Sequence, residues 1–297
     1  MSFVKILALI LGMVCAQTAP SQTFKKVAVK GGAPIVQVSA GGSSVWALAS
    51  NGHPYFYKGG QFVMAQNLAL TQIAAGGGSL SQPDAVWGIN AAGAVYSATL
   101  TGTKWVFSQM PGVLDFIAVG IGYHDSCHPY EVWGLNTAAF IYRYNYCLQN
   151  WEQAPGTLGT IAVGGGEVWG IGGGLPFVFN FSTLSFDQAF VHGTLSQISV
   201  GPNGAWATDG SRVYAYDKLL GEFFNLGPGV QIQAGGNGAW AIDGFHSVFH
   251  FDPYTLNFDR IPHIFSRSSP QLYNISVGGA GVWGINSSNE IYNFSTP

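Results

Sequence analysis

The sequence predicts an all-β chain: a single β-propeller of seven four-stranded blades, with six blades as the alternative. Three observations predict it. A tryptophan motif recurs seven times, the composition suits short strands joined by tight turns, and a strand-like segment near the N-terminus supplies what the last repeat lacks.

The chain has 297 residues, with 42 glycines, 14% aromatics and only 8% charged residues, against a usual quarter charged. Scarce Lys and Glu argue against exposed helix faces, while abundant Gly, Val, Ile, Phe, Tyr and Trp favour strands and turns. At 47% hydrophobic residues the chain is not disordered. A net charge of −3 provides no electrostatic footprint for nucleic acid or an anionic membrane.

The repeat opens with a short apolar segment ending in glycine: QVSAG (37–41), QIAAG (72–76), FIAVG (116–120), TIAVG (160–164), QISVG (197–201), QIQAG (231–235) and NISVG (274–278). A second segment follows around Trp46, Trp87, Trp133, Trp169, Trp206, Trp240 and Trp283. From glycine to tryptophan is five residues in repeats one, four, five, six and seven, and eleven and thirteen in repeats two and three. Repeats two and three therefore carry insertions of six and eight residues. Within the second segment the tryptophan and the residue two later share one face, and the intervening residues are small or branched. Both faces are apolar, so the sheet must be covered on both sides, as stacked propeller blades are.

An aromatic eight to ten residues after each tryptophan marks a third segment: Tyr55, Tyr96, Tyr142, Phe179, Tyr214, Phe249 and Tyr292. A further aromatic opens a fourth: Phe62, Trp105, Trp151, Phe186, Phe223 and Phe258. Each segment is four to six residues long and bounded by Gly, Asn, Asp or Pro, which is how strands read. Repeat one, with an irregular third segment, is the least regular copy. The seventh repeat ends after its third segment, and Phe24 to Val29 resembles the missing fourth. An N-terminal strand completing the last blade closes the ring and removes an open edge.

The blocks VWGIN (86–90), GVWGIN (281–286), WVFSQMPGVLDFIAVG (105–120) and WEQAPGTLGTIAVG (151–164) resemble the tectonin repeat. The resemblance covers residues 24–297; repeats five and six depart from it, with Thr208-Asp209 and Ile242-Asp243 where Ile-Asn is expected. It implies a β-propeller lectin that binds glycans or glycoconjugates, with microbial-surface glycans, O-methylated sugars and lipopolysaccharide as the ligand class. Many tectonins have six blades, so a count of seven departs from the commoner form. The alternative is a protein-interaction scaffold without sugar binding.

Residues 1–16 read as a signal peptide, with Lys5 before the apolar stretch Ile6 to Val14 and cleavage after Ala16. That leaves a propeller over 17–297, secreted to the extracellular space or, in a bacterium, to the periplasm. No other stretch is long and apolar enough for a transmembrane segment.

Cys127 and Cys147 remain after that cleavage, and a disulfide between them is expected. Cys127 lies between the first and second strands of blade three, and Cys147 between its third and fourth. In an up-and-down sheet both connections fall at the same end.

Candidate ligand contacts come from two places. Asn90, Asn136, Asp209, Asp243 and Asn286 stand where second and third strands join. Turn chemistry accounts for them, yet such a repeated polar rim is where a multivalent lectin places pockets, and Asn90, Asn136 and Asn286 are the candidates there. The insertion from Gly122 to Tyr130 offers Tyr123, His124 and Tyr130. Its two His, Asp and Cys lack a zinc spacing, so no metal site is expected. The strand tryptophans read as packing between blades rather than as sugar platforms. No nucleophile elbow, paired carboxylates or phosphate loop before a helix occurs, so neither an enzyme nor a cofactor is expected.

Overall fold

A computed structural model describes residues 23–79, 81–122, 125–261 and 271–295, and every regular element among them is a strand. The signal-like segment 1–16 lies outside the described residues. The strands form seven sheets, each an antiparallel up-and-down blade. Blades 1 to 6 span residues 35–64, 72–113, 116–157, 160–188, 197–228 and 231–260. Blade 7 is built from Leu272–Gly278, Gly281–Asn286 and Ile291–Ser295, and Thr23–Lys26 completes it by pairing antiparallel with the last of these. Seven blades and the N-terminal closure both hold. The six-blade alternative falls because blade 1 is regular: its third strand, Pro54–Lys58, pairs with strands on both sides.

The N-terminal segment does more than close blade 7. After Lys26 it steps across to blade 1, where Ala28–Val29 runs parallel to the outer strand Gln61–Met64. A similar link precedes blade 5, where Phe190–Val191 runs parallel to Glu222–Pro228. Both cover an outer edge that would otherwise offer unpaired backbone groups.

Packing follows from the two faces of the second strand. Trp87 and Ile89 face forward onto Leu114, Ile117 and Val132 of the next blade, while Val86 faces back onto Trp46 and Leu48. All seven strand tryptophans are buried, so they form the interblade core. Each removes about 150–250 Å² from water, on the order of 4–6 kcal/mol by area. Aromatics of the following blade then seat each ring edge-on, from its third and fourth strands except at Trp46, which Trp105 and Phe107 of the fourth strand meet. Trp87 meets Tyr144 at 4.8 Å and Trp151 at 5.8 Å, and Trp133 meets Phe179 at 4.7 Å and Phe186 at 5.8 Å.

Glycine is required where backbones converge on the axis. A β-carbon on Gly164 would stand 2.1 Å from the Val200 carbonyl oxygen of the neighbouring first strand. The glycine after the tryptophan has another role: a β-carbon on Gly134 would strike Leu114 at 2.3 Å, the leucine of the Pro-Gly-x-Leu turn entering that blade. The two motifs therefore fit one another.

Glutamines fasten the inner strands. Gln37 donates to the Ile73 carbonyl and accepts from its N–H, both at 3.0 Å, and Gln72 does the same to Ile117. Gln197 and Gln231 accept from Ile232 and Ile275. Each amide closes a gap between first strands that the fan of blades leaves open.

Candidate ligand-binding faces of the ring

Because the blades are up-and-down, connections between strands one and two share a face with those between three and four. The remaining connections form the opposite face. The sequence-predicted residues therefore divide: Asn90, Asn136 and Asn286 belong to one face, and Tyr130 and the disulfide to the other.

On the first face, each asparagine organises its own turn. Asn90 Oδ1 accepts from the N–H groups of Ala92 and Ala94 at 3.0 and 2.9 Å. Asn136 does so from Ala138 and Phe140, and Asn286 from Ser288 and Glu290. The side-chain nitrogens point at a tyrosine of the same blade: Asn90 to Tyr96 at 3.4 Å, Asn136 to Tyr142 at 3.4 Å, and Asn286 to Tyr292 at 3.3 Å. These are long bonds, so blades 2 and 3 present a loosely held pair of amide N–H and phenol at the rim, whereas in blade 7 Asn286 Nδ2 and the Tyr292 hydroxyl both donate to Glu290 at 2.9 Å. In blade 5 the pair is tighter. Tyr214 donates to Asp209 at 2.8 Å. Burial raises the Asp209 carboxyl, but hydrogen bonds from Ser211, Tyr214 and the backbone outweigh it and hold the group at about 2.

On the opposite face the disulfide Cys127–Cys147 is formed, with α-carbons 5.0 Å apart. It ties the blade 3 insertion to the turn between the third and fourth strands, and Tyr146 N–H donates to the Cys127 carbonyl alongside it. Tyr123 and His124 lie outside the described residues. His128 turns inward: it is buried, with Nδ1 2.7 Å from Asp125. Burial raises Asp125, but the hydrogen bond and charge of His128 bring it below the ordinary carboxylate value. Tyr130 is half-buried, and its hydroxyl donates to the Pro83 carbonyl at 3.0 Å, joining the insertions of blades 2 and 3. Among the described residues no three His, Cys, Asp or Glu side chains gather as metal ligands do.

Polar residues that sequence reasoning missed hold this face together. Asp84, in the blade 2 insertion, is buried and accepts from the N–H groups of Gly42, Ser43, Ser44 and Gly78 and from the Ser44 hydroxyl, at 2.6 to 3.1 Å. In blade 3 the buried pair Glu131–Arg143 makes two bonds of 2.6 and 2.9 Å, and Glu131 also accepts from Trp133 Nε1 at 2.7 Å. None of these recurs in every repeat, so periodicity does not reveal them.

The central channel has two mouths of about 300 and 280 Å³, which share a ring of Ala40, Ala75, Val119, Val163, Val200, Ala234 and Val277. Its walls are glycine, apolar side chains, serines, Asn274, Gln37, Gln72 and Gln233, and among the described residues no carboxylate or histidine lines it.

The solved structures that resemble this ring show its fold. Prp20p from Saccharomyces cerevisiae matches with a TM-score of 0.63 at 8% identity, over 89% of this chain and 83% of that one. YCF48 from Cyanidioschyzon merolae matches with 0.63 at 13%, over 92% and 98%. The Neurospora crassa Pan2 WD40 domain matches with 0.63 at 9%, over 89% and 90%. No curated protein matches in sequence. The Tectonin domain matches residues 17–174 and 177–296. With its motifs placed strand by strand in seven blades, the chain belongs to the Tectonin domain family.

Proposed function

We propose that this protein is an exported lectin that binds glycans through several weak sites repeated around the ring. The family match over nearly the whole chain carries the reading. The Asn–Tyr pairs at Asn90 and Asn136 support it, since each leaves polar groups at a rim position; Asn286, held with Tyr292 on Glu290, is the third proposed contact of that face. Tyr130, on the opposite face in an insertion pinned by the disulfide, is a second proposed contact, and Tyr123 and His124 of the same sequence insertion are proposed with it. That disulfide, the signal-like residues 1–16 and the lack of any described helix long and apolar enough to cross a membrane agree with export. Microbial-surface glycans, O-methylated sugars and lipopolysaccharide are the proposed ligand class. No catalytic step is part of this reading.

One observation favours a protein-binding scaffold as the second reading. The turns between third and fourth strands of blades 3 to 6 expose Leu148, Leu184, Leu219, Leu220 and Leu256. Leu184 and Leu256 adopt φ of 54° and 57°, a region unfavourable to leucine. Apolar side chains kept at strained, exposed turns suit docking more than folding. A glycan array with and without methylated sugars, and with lipopolysaccharide, separates the readings. Binding to at least one glycan supports the lectin; a blank array beside a stoichiometric protein partner supports the scaffold.

A further inference from the structure

The strand tryptophans are covered differently from blade to blade, and between blades 5 and 6 the cover is missing. Trp169 in blade 4 donates Nε1 to Glu167, two residues before it, at 2.9 Å, and Lys218 of blade 5 pairs with the same carboxylate. Trp133 donates likewise to Glu131, and Arg143 lies over both Trp133 and Phe181 of blade 4. Trp87 lies beside Tyr146 of blade 3. The covering residues Tyr146, Phe181 and Lys218 occupy one equivalent position. Each stands two residues after the third-strand aromatic that seats the tryptophan, namely Tyr144, Phe179 and Tyr216.

In blade 6 that aromatic is Phe251, 4.7 Å from Trp206, and two residues later stands Pro253. Two residues before Trp206 stands Gly204 instead of a glutamate. Neither position projects a long side chain, and a cleft of about 570 Å³ opens beside Trp206. Phe224, His250, Asn203 and Asn237 complete its wall. No described group accepts from the Trp206 N–H, in contrast to Trp133 and Trp169. Among the described residues, no Lys, Arg, Asp or Glu lines the cleft. Burial lowers the His250 pKa below its ordinary value, which keeps that ring neutral near pH 7.

We propose that this cleft binds a neutral pyranose ring. Its apolar C–H face meets the rings of Phe224 and Phe251, and its hydroxyls meet the Trp206 N–H, the Asn203 carboxamide and Asn237 Oδ1, whose partner Nδ2 is held by the Gly278 carbonyl. A wall of aromatic rings with a few uncharged hydrogen-bonding groups suits a sugar, whose ring has an apolar face and a polar rim. A charged ligand would find no counter-ion there. The opening comes from Gly204 and Pro253, which project no long side chain over the indole. It rests on the lectin reading and names a site for it.

The test is a titration of the parent, labelled at its indole nitrogens, with methyl mannoside, methyl glucoside, methyl galactoside and N-acetylglucosamine. Pro253→Tyr, at an exposed position, restores the cover that Tyr146 gives Trp87. Asn203→Ala, also exposed, removes one polar contact and serves where the first variant folds poorly. The expected result is one indole N–H signal that shifts saturably with at least one sugar. Its apparent Kd should weaken about tenfold or more in Pro253→Tyr, and by less in Asn203→Ala. A response unchanged in both variants, or no response to any of the four sugars, overturns the site. A positive glycan array beside a blank titration of the Trp206 N–H signal overturns the cleft and leaves the lectin reading intact; a blank array with a blank titration overturns both.

Discussion

Phe24 meets Trp240 of blade 6 edge-on, with ring centroids 6.3 Å apart, and packs on Phe294 of blade 7 at 5.2 Å. In the other interfaces the same place beside a strand tryptophan is held by Phe62, Trp105, Trp151, Phe186, Phe223 and Phe258. A residue from the N-terminal segment thus serves as the fourth-strand aromatic of the last blade. Phe24→Ala is expected to cost about 2 kcal/mol, less than the roughly 3–5 kcal/mol of a fully buried phenylalanine, because Phe24 is only half-buried. Removing residues 23–30 should cost more, since it also exposes the edge of blade 7. Thermal unfolding checks both, and a deletion that melts with the parent contradicts the closure.

Asp84→Ala should be among the most damaging polar substitutions in the ring. It leaves four backbone N–H groups near one buried point without their acceptor. A cost of about 3 kcal/mol or more is expected. Asp84→Asn, which keeps one acceptor oxygen, should fall between that and the parent in denaturant unfolding.

The pair Glu131–Arg143 makes a separate prediction. Arg143→Met strands the Glu131 carboxylate in a fully buried site and is expected to cost about 3–5 kcal/mol. Adding Glu131→Leu should recover much of that loss, because the uncompensated charge is gone. A double variant as unstable as Arg143→Met alone would show that the pair does more than neutralise itself.

Acid should loosen the N-terminal closure. Hydrogen bonds from Lys26, Tyr292 and Asn286 hold the Glu290 carboxyl at about 2, against an ordinary 4.5. A lowered carboxyl favours the folded state above its ordinary value and loses that contribution as pH falls toward its folded value. Stability should therefore decline between about pH 4.5 and pH 2, with Asp209 adding to the same window. Lys26 sits in the closing strand, so Glu290→Gln should flatten the decline in melting temperature.

Much of this architecture is legible in the chain because the tryptophan recurs at near-constant distance from an axial glycine. Phe24 was recognisable for the same reason, as the aromatic that repeat seven lacked, and the disulfide followed from which connections share a face. The second third-strand aromatic was not legible. Tyr144, Tyr216 and Phe251 seat the tryptophans, but Ala98 breaks the pattern in blade 2, where Trp105 and Phe107 fill the space instead. Asp84 and Arg143 act once each, across an insertion or within one blade, and carry no period. The opening beside Trp206 depends on what residues 204 and 253 lack, which only the stacking of two blades reveals.

Multivalent sugar binding is tested most directly by printing one bound glycan at high and low density and measuring apparent affinity at each. Several weak sites on one rigid ring predict a rise of about a hundredfold or more from sparse to dense surfaces. They also predict that millimolar free sugar reverses it. Binding that does not change with density, or no binding to any glycan at either density, would contradict a ring of repeated sugar sites.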